Sequence, residues 1–410
     1  MTCMLLKRFL VVFLFFFGAF FSAPLLHAAV LRSGIDLLDA SGCRELQGKR
    51  VALITNASAL AASGESGYSV LLRNGVDLKF IMAPEHGFKV NVEAGKAVSG
   101  TSVVDSIRVY SLYDQSKKPD VALLKTVDLL VFDLQDVGAR CYTYISTMKL
   151  AMEACREARC SFMVLDRPNP VSPIAPAGFM LAEGFESFVG AVGVPFLHAM
   201  TVGEIATLLK KTRFSTLDLR VVRMEGYRRD RFGDDFPGFT FVSPSPNIRS
   251  VETAIVYPAT VMLEPTAVSE GRGTDAPFRQ FGAPFIDARD LSRQLASYQL
   301  RGVRFRPVSF VPVSGKYRGE RCFGLSIEVT DRRSFEPFRV STAILLSLQK
   351  NYPQQLGLER GASFFDRLAG TDRFRKMILR QDSLERIVES TRNEVRLFEE
   401  TLMREALLYP

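Results

Sequence analysis

The chain has 410 residues, enough for two or three domains around a substantial core. With 47% hydrophobic and 23% charged residues it is neither a disordered nor a low-complexity chain. The formal charge of +8 is spread along the sequence with no run of five like charges, which argues against a nucleic-acid partner and stays compatible with an acidic small substrate.

Residues 1–29 differ in kind from the rest. Lys7 and Arg8 precede an apolar run at 9–21, and Leu26-His27-Ala28 offers a small residue for cleavage. This pattern predicts a secretory signal peptide, and so an exported protein, periplasmic or secreted. The run is shorter than the roughly 20 residues of a membrane span, and no second long apolar run follows, so no stable span is expected after cleavage.

The next stretch alternates short apolar runs with helical patterns. Strands are predicted at 50–54, 77–82, 127–133 and 161–166, and helices at 67–74, 117–126 and 145–158. The runs at 127–133 and 161–166 are continuously apolar, as in a parallel sheet buried on both faces. The expected architecture is therefore α/β: a Rossmann-like, doubly wound parallel sheet over residues 30–205. Ligands of such sheets bind beyond the carboxyl ends of the strands. Three strands here exit into polar clusters, at 83–87, 133–140 and 166–170, and are expected to converge on one rim.

The rhythm changes near residue 200. Thr201 and Glu204 fit a capping box for a helix to Lys211, followed by a strand at 218–224. Residues 225–250 read as a long loop, and 266–287 as a Gly-rich polar segment. A helix near 288–299, strands near 303–311 and 322–330 and a helix near 336–350 complete a second, smaller α+β domain over 206–380. Residues 381–410 read as a helical C-terminal tail.

Several segments carry groups able to do chemistry. Glu85, just after a strand in PEHG (84–87), is placed to act as a general acid beside His86. Asp136 and Arg140 flank Gly138, with Tyr142 two residues on. Asp166, Arg167 and Asn169 leave a strand stiffened by Pro168 and Pro170. The SPSPN loop ends in Asn247, and SEGRGT gathers Glu270, Arg272 and Thr274. The sequence lacks a P-loop, a GxGxxG after the first strand and a Gly-x-Ser-x-Gly elbow, so no nucleotide cofactor is expected. After signal removal only His86 and His198 remain, and the five cysteines match no zinc spacing, so no metal is expected either. With no Trp, sugar stacking would fall to Tyr or Phe.

Taken in order, GIDLL (34–38), GKRVALITN (48–56), PEHG, YSLYD (110–114), DLQDVGARCYTYISTM (133–148), LDRPNP (165–170), PSPN (244–247), SEGRGTDAPF (269–278) and GAPFIDA (282–288) resemble the exo-β-N-acetylmuramidase family. The resemblance spans about residues 34–350. It departs at Phe88-Lys89-Val90-Asn91, at Ala199 and at Phe241-Val242-Ser243. It implies cleavage of β-linked N-acetylmuramic acid from non-reducing ends, in a cleft between a Rossmann-like and a smaller domain. Peptidoglycan fragments are the implied partners. Glu85 becomes the first choice for general acid, with Glu270, Asp136 and Asp166 as candidate second carboxylates in that order. Arg140, Arg167 and Arg272 become candidate binders of the lactyl or acetamido groups, and Asn169 and Asn247 of hydroxyls. Another peptidoglycan-directed hydrolase, or a sugar-binding protein without turnover, are the competing readings.

Overall fold

The computed structural model describes residues 30–98, 100–114 and 116–410; the expected signal peptide lies outside the described residues. The first half is built on a seven-stranded sheet of β1 (Arg50–Thr55), β2 (Asp77–Ala83), β3 (Thr101–Val104), β4 (Ile107–Ser111), β5 (Leu129–Asp133), β6 (Ser161–Leu165) and β9 (Leu219–Val222). Its order is β3-β4-β2-β1-β5-β6-β9. All neighbours run parallel except the β3–β4 edge hairpin. A short antiparallel pair, β7 (Ala177–Met180) and β8 (Pro195–Leu197), lies between β6 and β9 in sequence.

Strand alternation splits the core. Val51 and Leu53 of β1 pack with Ile35 and Leu38 of α1 (Gly34–Ala40) and Val70 and Leu71 of α2 (Gly67–Arg73). Ala52 and Ile54 face the other way, into a cluster holding Ile145 and Met148 of α4 (Tyr144–Ala158). The apolar runs are continuous because both faces are covered. The predicted helix at 117–126 is a single turn, α3 (Val121–Leu124), capped by Asp120. The capping box at Thr201 and Glu204 opens α5 (Val202–Thr212) as expected.

The first sheet extends past the expected limit of its domain. Strand β9 pairs with β6 from Phe162↔Leu219 to Leu165↔Val222, so the sheet takes up residues beyond the expected limit at 205. Helix α5 is the crossover that the parallel β6–β9 pair requires. The last residues, read as a helical tail, are anchored on the first half of the chain. The Tyr409 hydroxyl donates to Asp166 Oδ2 (2.7 Å) and accepts from the Met224 amide (2.9 Å), and the Leu408 amide donates to Glu204 (3.0 Å).

The second half carries a three-stranded antiparallel sheet, ordered β10 (Gln280–Ala283), β12 (Cys322–Val329) and β11 (Val303–Phe310). Helix α7 (Ala288–Ser297) packs on β11 and β12, α8 (Pro337–Asn351) packs on α7 and on α6 (Val251–Thr260), and α9 (Ala362–Ala369), α10 (Arg373–Leu379) and α11 (Leu384–Phe398) lead to the C-terminus. Ile255, Leu325 and Ile344 belong to the same apolar cluster as Ile54 and Met148, so one core runs through both halves. Among the described residues no helix is long and apolar enough to cross a membrane.

Candidate active site

Strand β2 delivers the first functional group. Beyond Ala83 the chain reverses through His86 and Gly87, both at φ 72°, and a loop to Val98 folds back over the strand end. The His86 Nδ1–Val92 carbonyl contact (2.8 Å) and the Gly95 amide, which donates to Glu85 Oε1 (2.9 Å), tie that loop down. A carbonyl only accepts, so Nδ1 carries the proton and Nε2 keeps its lone pair. Burial lowers the His86 pKa, which favours this neutral form.

Strand β5 brings the second group through the turn into α4. Thr143, the residue before the first helical one, donates from its hydroxyl to Glu85 Oε2 at 2.6 Å. Both oxygens of the buried Glu85 carboxyl are thus held, by elements entering from different strands. Burial, with the Glu85 charge next to it, pushes the Tyr113 phenol well up, so it stays a neutral hydroxyl. Tyr144 donates to the Pro244 carbonyl (2.6 Å) and accepts from Asn56 (2.9 Å), tying the PSPN loop to the strand ends.

Glu85, His86, Tyr113 and Thr143 line a cleft of about 1110 Å³ whose other wall comes from the second half of the chain. That is larger than the roughly 300–1,000 Å³ of a typical small-ligand site. Aromatic rings support it: Tyr142 packs on Tyr144 (4.8 Å), Tyr257 on Phe278 (4.7 Å), and the Arg272 guanidinium lies 4.7 Å over Phe278. Arg272 also spans two carboxylates, Glu264 at 2.6 Å and Glu270 at 2.8 Å.

The structure sorts the sequence candidates into two groups. Glu85, His86, Tyr142, Asn247, Arg272 and Thr274 all line the cleft. Glu270 sits behind Arg272 with both oxygens engaged, Oε2 by Lys316 at 3.0 Å. Burial opposes its charge, but Lys316 and Arg272 outweigh that and hold its pKa low.

The remaining candidates are not among the residues lining the cleft and have internal partners. The buried Asp136 accepts from the Gly138 amide (2.7 Å) and lies 3.2 Å from His198 Nε2. Arg140 has no exposed surface, and its terminal nitrogens donate to the carbonyls of Phe179, Val194, Leu368 and Ala369. Arg167 forks onto Asp133 (2.6 and 3.0 Å), and Asn169 bridges Met200 O and the Val171 amide. The β6 exit is closed because residues 168–200 and the C-terminus pack over it, so the three strand ends do not share one open rim. Sequence reasoning missed Thr143 and Tyr113, although both sit in quoted motifs. It also missed Glu264 and Arg249, which line the cleft with no local signal.

Asp166 receives hydrogen bonds from Thr201, Tyr409 and the Gly203 and Arg167 amides. Burial pushes its carboxyl up to about 7. Between the unfolded value near 3.9 and about 7 the folded chain then holds more protons than the unfolded one. Stability accordingly falls as pH rises through this window, by at most about 4 kcal/mol, and levels off above it. Asp166→Asn keeps an acceptor for the two amides and turns its NH2 toward two hydroxyls, so it is expected to fold and to flatten that slope. Urea unfolding at pH 5 and pH 8 measures it; an unaltered slope in the variant would exclude Asp166 as the source.

Comparison with known proteins gives a consistent set of likenesses. Residues 51–252 match the model of the N-terminal domain of the exo-beta-N-acetylmuramidase NamZ, and residues 255–409 that of its C-terminal domain. The two matches meet between residues 252 and 255, near the start of α6, and not at 205/206. The peptidoglycan beta-N-acetylmuramidase NamZ of Bacillus subtilis (strain 168) is 41% identical over 375 residues, covering 90% of each chain. Two crystal structures of DUF1343 family proteins from Bacteroides fragilis NCTC 9343 share the fold. One has a TM-score of 0.85 at 30% identity, covering 93% of this chain and 99% of that one. The other has a TM-score of 0.74 at 27% identity, covering 92% and 99%.

Proposed function

The chain belongs to the exo-β-N-acetylmuramidase NamZ family, and on that premise we propose how its cleft performs the reaction. The protein is an exo-acting glycoside hydrolase that releases N-acetylmuramic acid from the non-reducing end of peptidoglycan fragments. Glu85 is its general acid. Hydrolysis breaks the bond between C1 of the muramic acid and the leaving oxygen. The Glu85 carboxyl protonates that oxygen, and water supplies a hydroxyl to C1 and returns a proton to Glu85.

The observation that carries the assignment is the placement of Glu85, buried at the end of β2 and open to the cleft, with each oxygen held by a different element. Thr143 suits such a group. Its hydroxyl donates to a carboxylate and accepts from a carboxylic acid, so Glu85 is positioned in both protonation states. Tyr142 and Arg272, with the rings of Tyr257 and Phe278, are the surfaces assigned to the sugar. Export is part of the proposal, because peptidoglycan lies outside the cytoplasm and the first 29 residues have the form of a signal peptide.

Paired aryl glycosides test the specificity. The 4-nitrophenyl glycoside of β-N-acetylmuramic acid is expected to be cleaved at least about 100-fold faster than that of β-N-acetylglucosamine, which lacks only the lactyl ether. The opposite preference would favour an N-acetylglucosaminidase.

A further inference from the structure

Glycoside hydrolysis usually employs two carboxyl groups, and the cleft offers few for the second role. Glu270 has both oxygens taken by Arg272 and Lys316, while Asp136 and Asp166 belong to internal networks. Glu93 and Asp275 line the cleft but lie at its wet margin, Glu93 paired with Lys96 and Asp275 exposed. Glu264 is different. It lines the cleft with its side chain only 17% exposed. It comes from the C-terminal half, whereas Glu85 comes from the N-terminal half.

Its surroundings fix it in place. Glu264 follows the short 3-10 turn Val261–Leu263, and its amide donates to the Val261 carbonyl at 3.0 Å. Lys316 clamps the flanking backbone through the carbonyls of Leu263 (3.0 Å) and Val268 (2.9 Å). Arg272 Nη2 holds Oε1 at 2.6 Å, while Oε2 accepts no hydrogen bond among the described residues. Arg272 is itself anchored by Glu270, so Glu270 serves this site from behind. A preorganised carboxylate in a half-closed cleft stabilises positive charge far better than one in water.

We propose that Glu264 is the second carboxylate of the reaction, lying against the sugar and stabilising the positive charge that develops at C1 as the glycosidic bond breaks. This inference rests on the proposed hydrolysis. The two roles respond differently to the leaving group. A nitrophenolate departs without protonation, so a general-acid variant recovers on an aryl glycoside, whereas loss of charge stabilisation hurts every substrate.

The experiment measures kcat for wild type, Glu85→Gln, Glu264→Gln and Glu264→Asp on two substrates. One is the disaccharide with a non-reducing N-acetylmuramic acid, the other the 4-nitrophenyl glycoside of β-N-acetylmuramic acid alone. Glu264→Gln is expected to lose about 10²–10³-fold on both, with Glu264→Asp between it and wild type. Glu85→Gln is expected to lose strongly on the disaccharide alone. If Glu264→Gln folds poorly, Glu264→Asp carries the test, and equal loss on both substrates is again required. Glu264 variants within threefold of wild type, or selectively rescued on the aryl glycoside, would overturn the proposal. A wild type inactive on both substrates would overturn the hydrolysis reading and this inference together.

Discussion

Glu85→Gln is expected to lower kcat on the muramic-acid-terminated disaccharide by about 10²–10⁴-fold, the contribution of a positioned general acid, while leaving the fold unchanged. The amide has the shape of the carboxyl it replaces. Its oxygen still accepts from Gly95, and its NH2 finds the Thr143 hydroxyl as an acceptor. What it lacks is a proton to give. KM should change little, because ground-state contacts survive. Circular dichroism and thermal unfolding check the fold, and steady-state kinetics checks the rate. A variant within threefold of wild type on the disaccharide would remove Glu85 from the acid role.

Arg140→Met is expected to have the largest effect on stability. The guanidinium joins the two halves of the molecule, donating to Phe179 and Val194 on one side and to Leu368 and Ala369 on the other. Burial pulls its pKa down to about 10, still protonated at neutral pH. Removing it strands buried carbonyls, at a cost of about 4 kcal/mol and a fall in Tm on the order of 10 °C. Gly370 packs so closely that an added Cβ would lie 2.5 Å from Arg140 Nη2, so this position tolerates little rearrangement. Activity per folded molecule should be unchanged. A raised KM with normal stability would instead restore Arg140 to the substrate.

This contrast shows how far the sequence could be read. The buried strands were legible because both faces of the sheet are covered, which leaves unbroken apolar runs. The place of Glu85 in the cleft was legible because it directly follows a buried strand, in a short polar motif. Arg140 and Arg272 sit in similar Gly-rich, polar contexts, yet one is sealed and the other lines the cleft. Phe179 and Val194, with Leu368 and Ala369 of α9, decide that difference by sealing Arg140, and in the same way Tyr409 reaches Asp166 across 243 positions of sequence. Glu264 has no flanking motif, and only the fold brings it to the same cleft as Glu85. Helix α6 was missed because it is buried at every position but Glu252 and contains Pro258, so it shows little amphipathic period. The β3–β4 hairpin turns through Asp105 and Ser106, both with positive φ, where an Asn-Gly pair would have signalled the turn.

The most direct test of the account is incubation of the purified protein with the disaccharide of β-linked N-acetylmuramic acid and N-acetylglucosamine, with products resolved by mass spectrometry. The account predicts free N-acetylmuramic acid and free N-acetylglucosamine in equal amounts, released by the wild type and strongly diminished in Glu85→Gln. An intact disaccharide after incubation with a folded wild-type chain, under conditions where a known muramidase cleaves it, would contradict it.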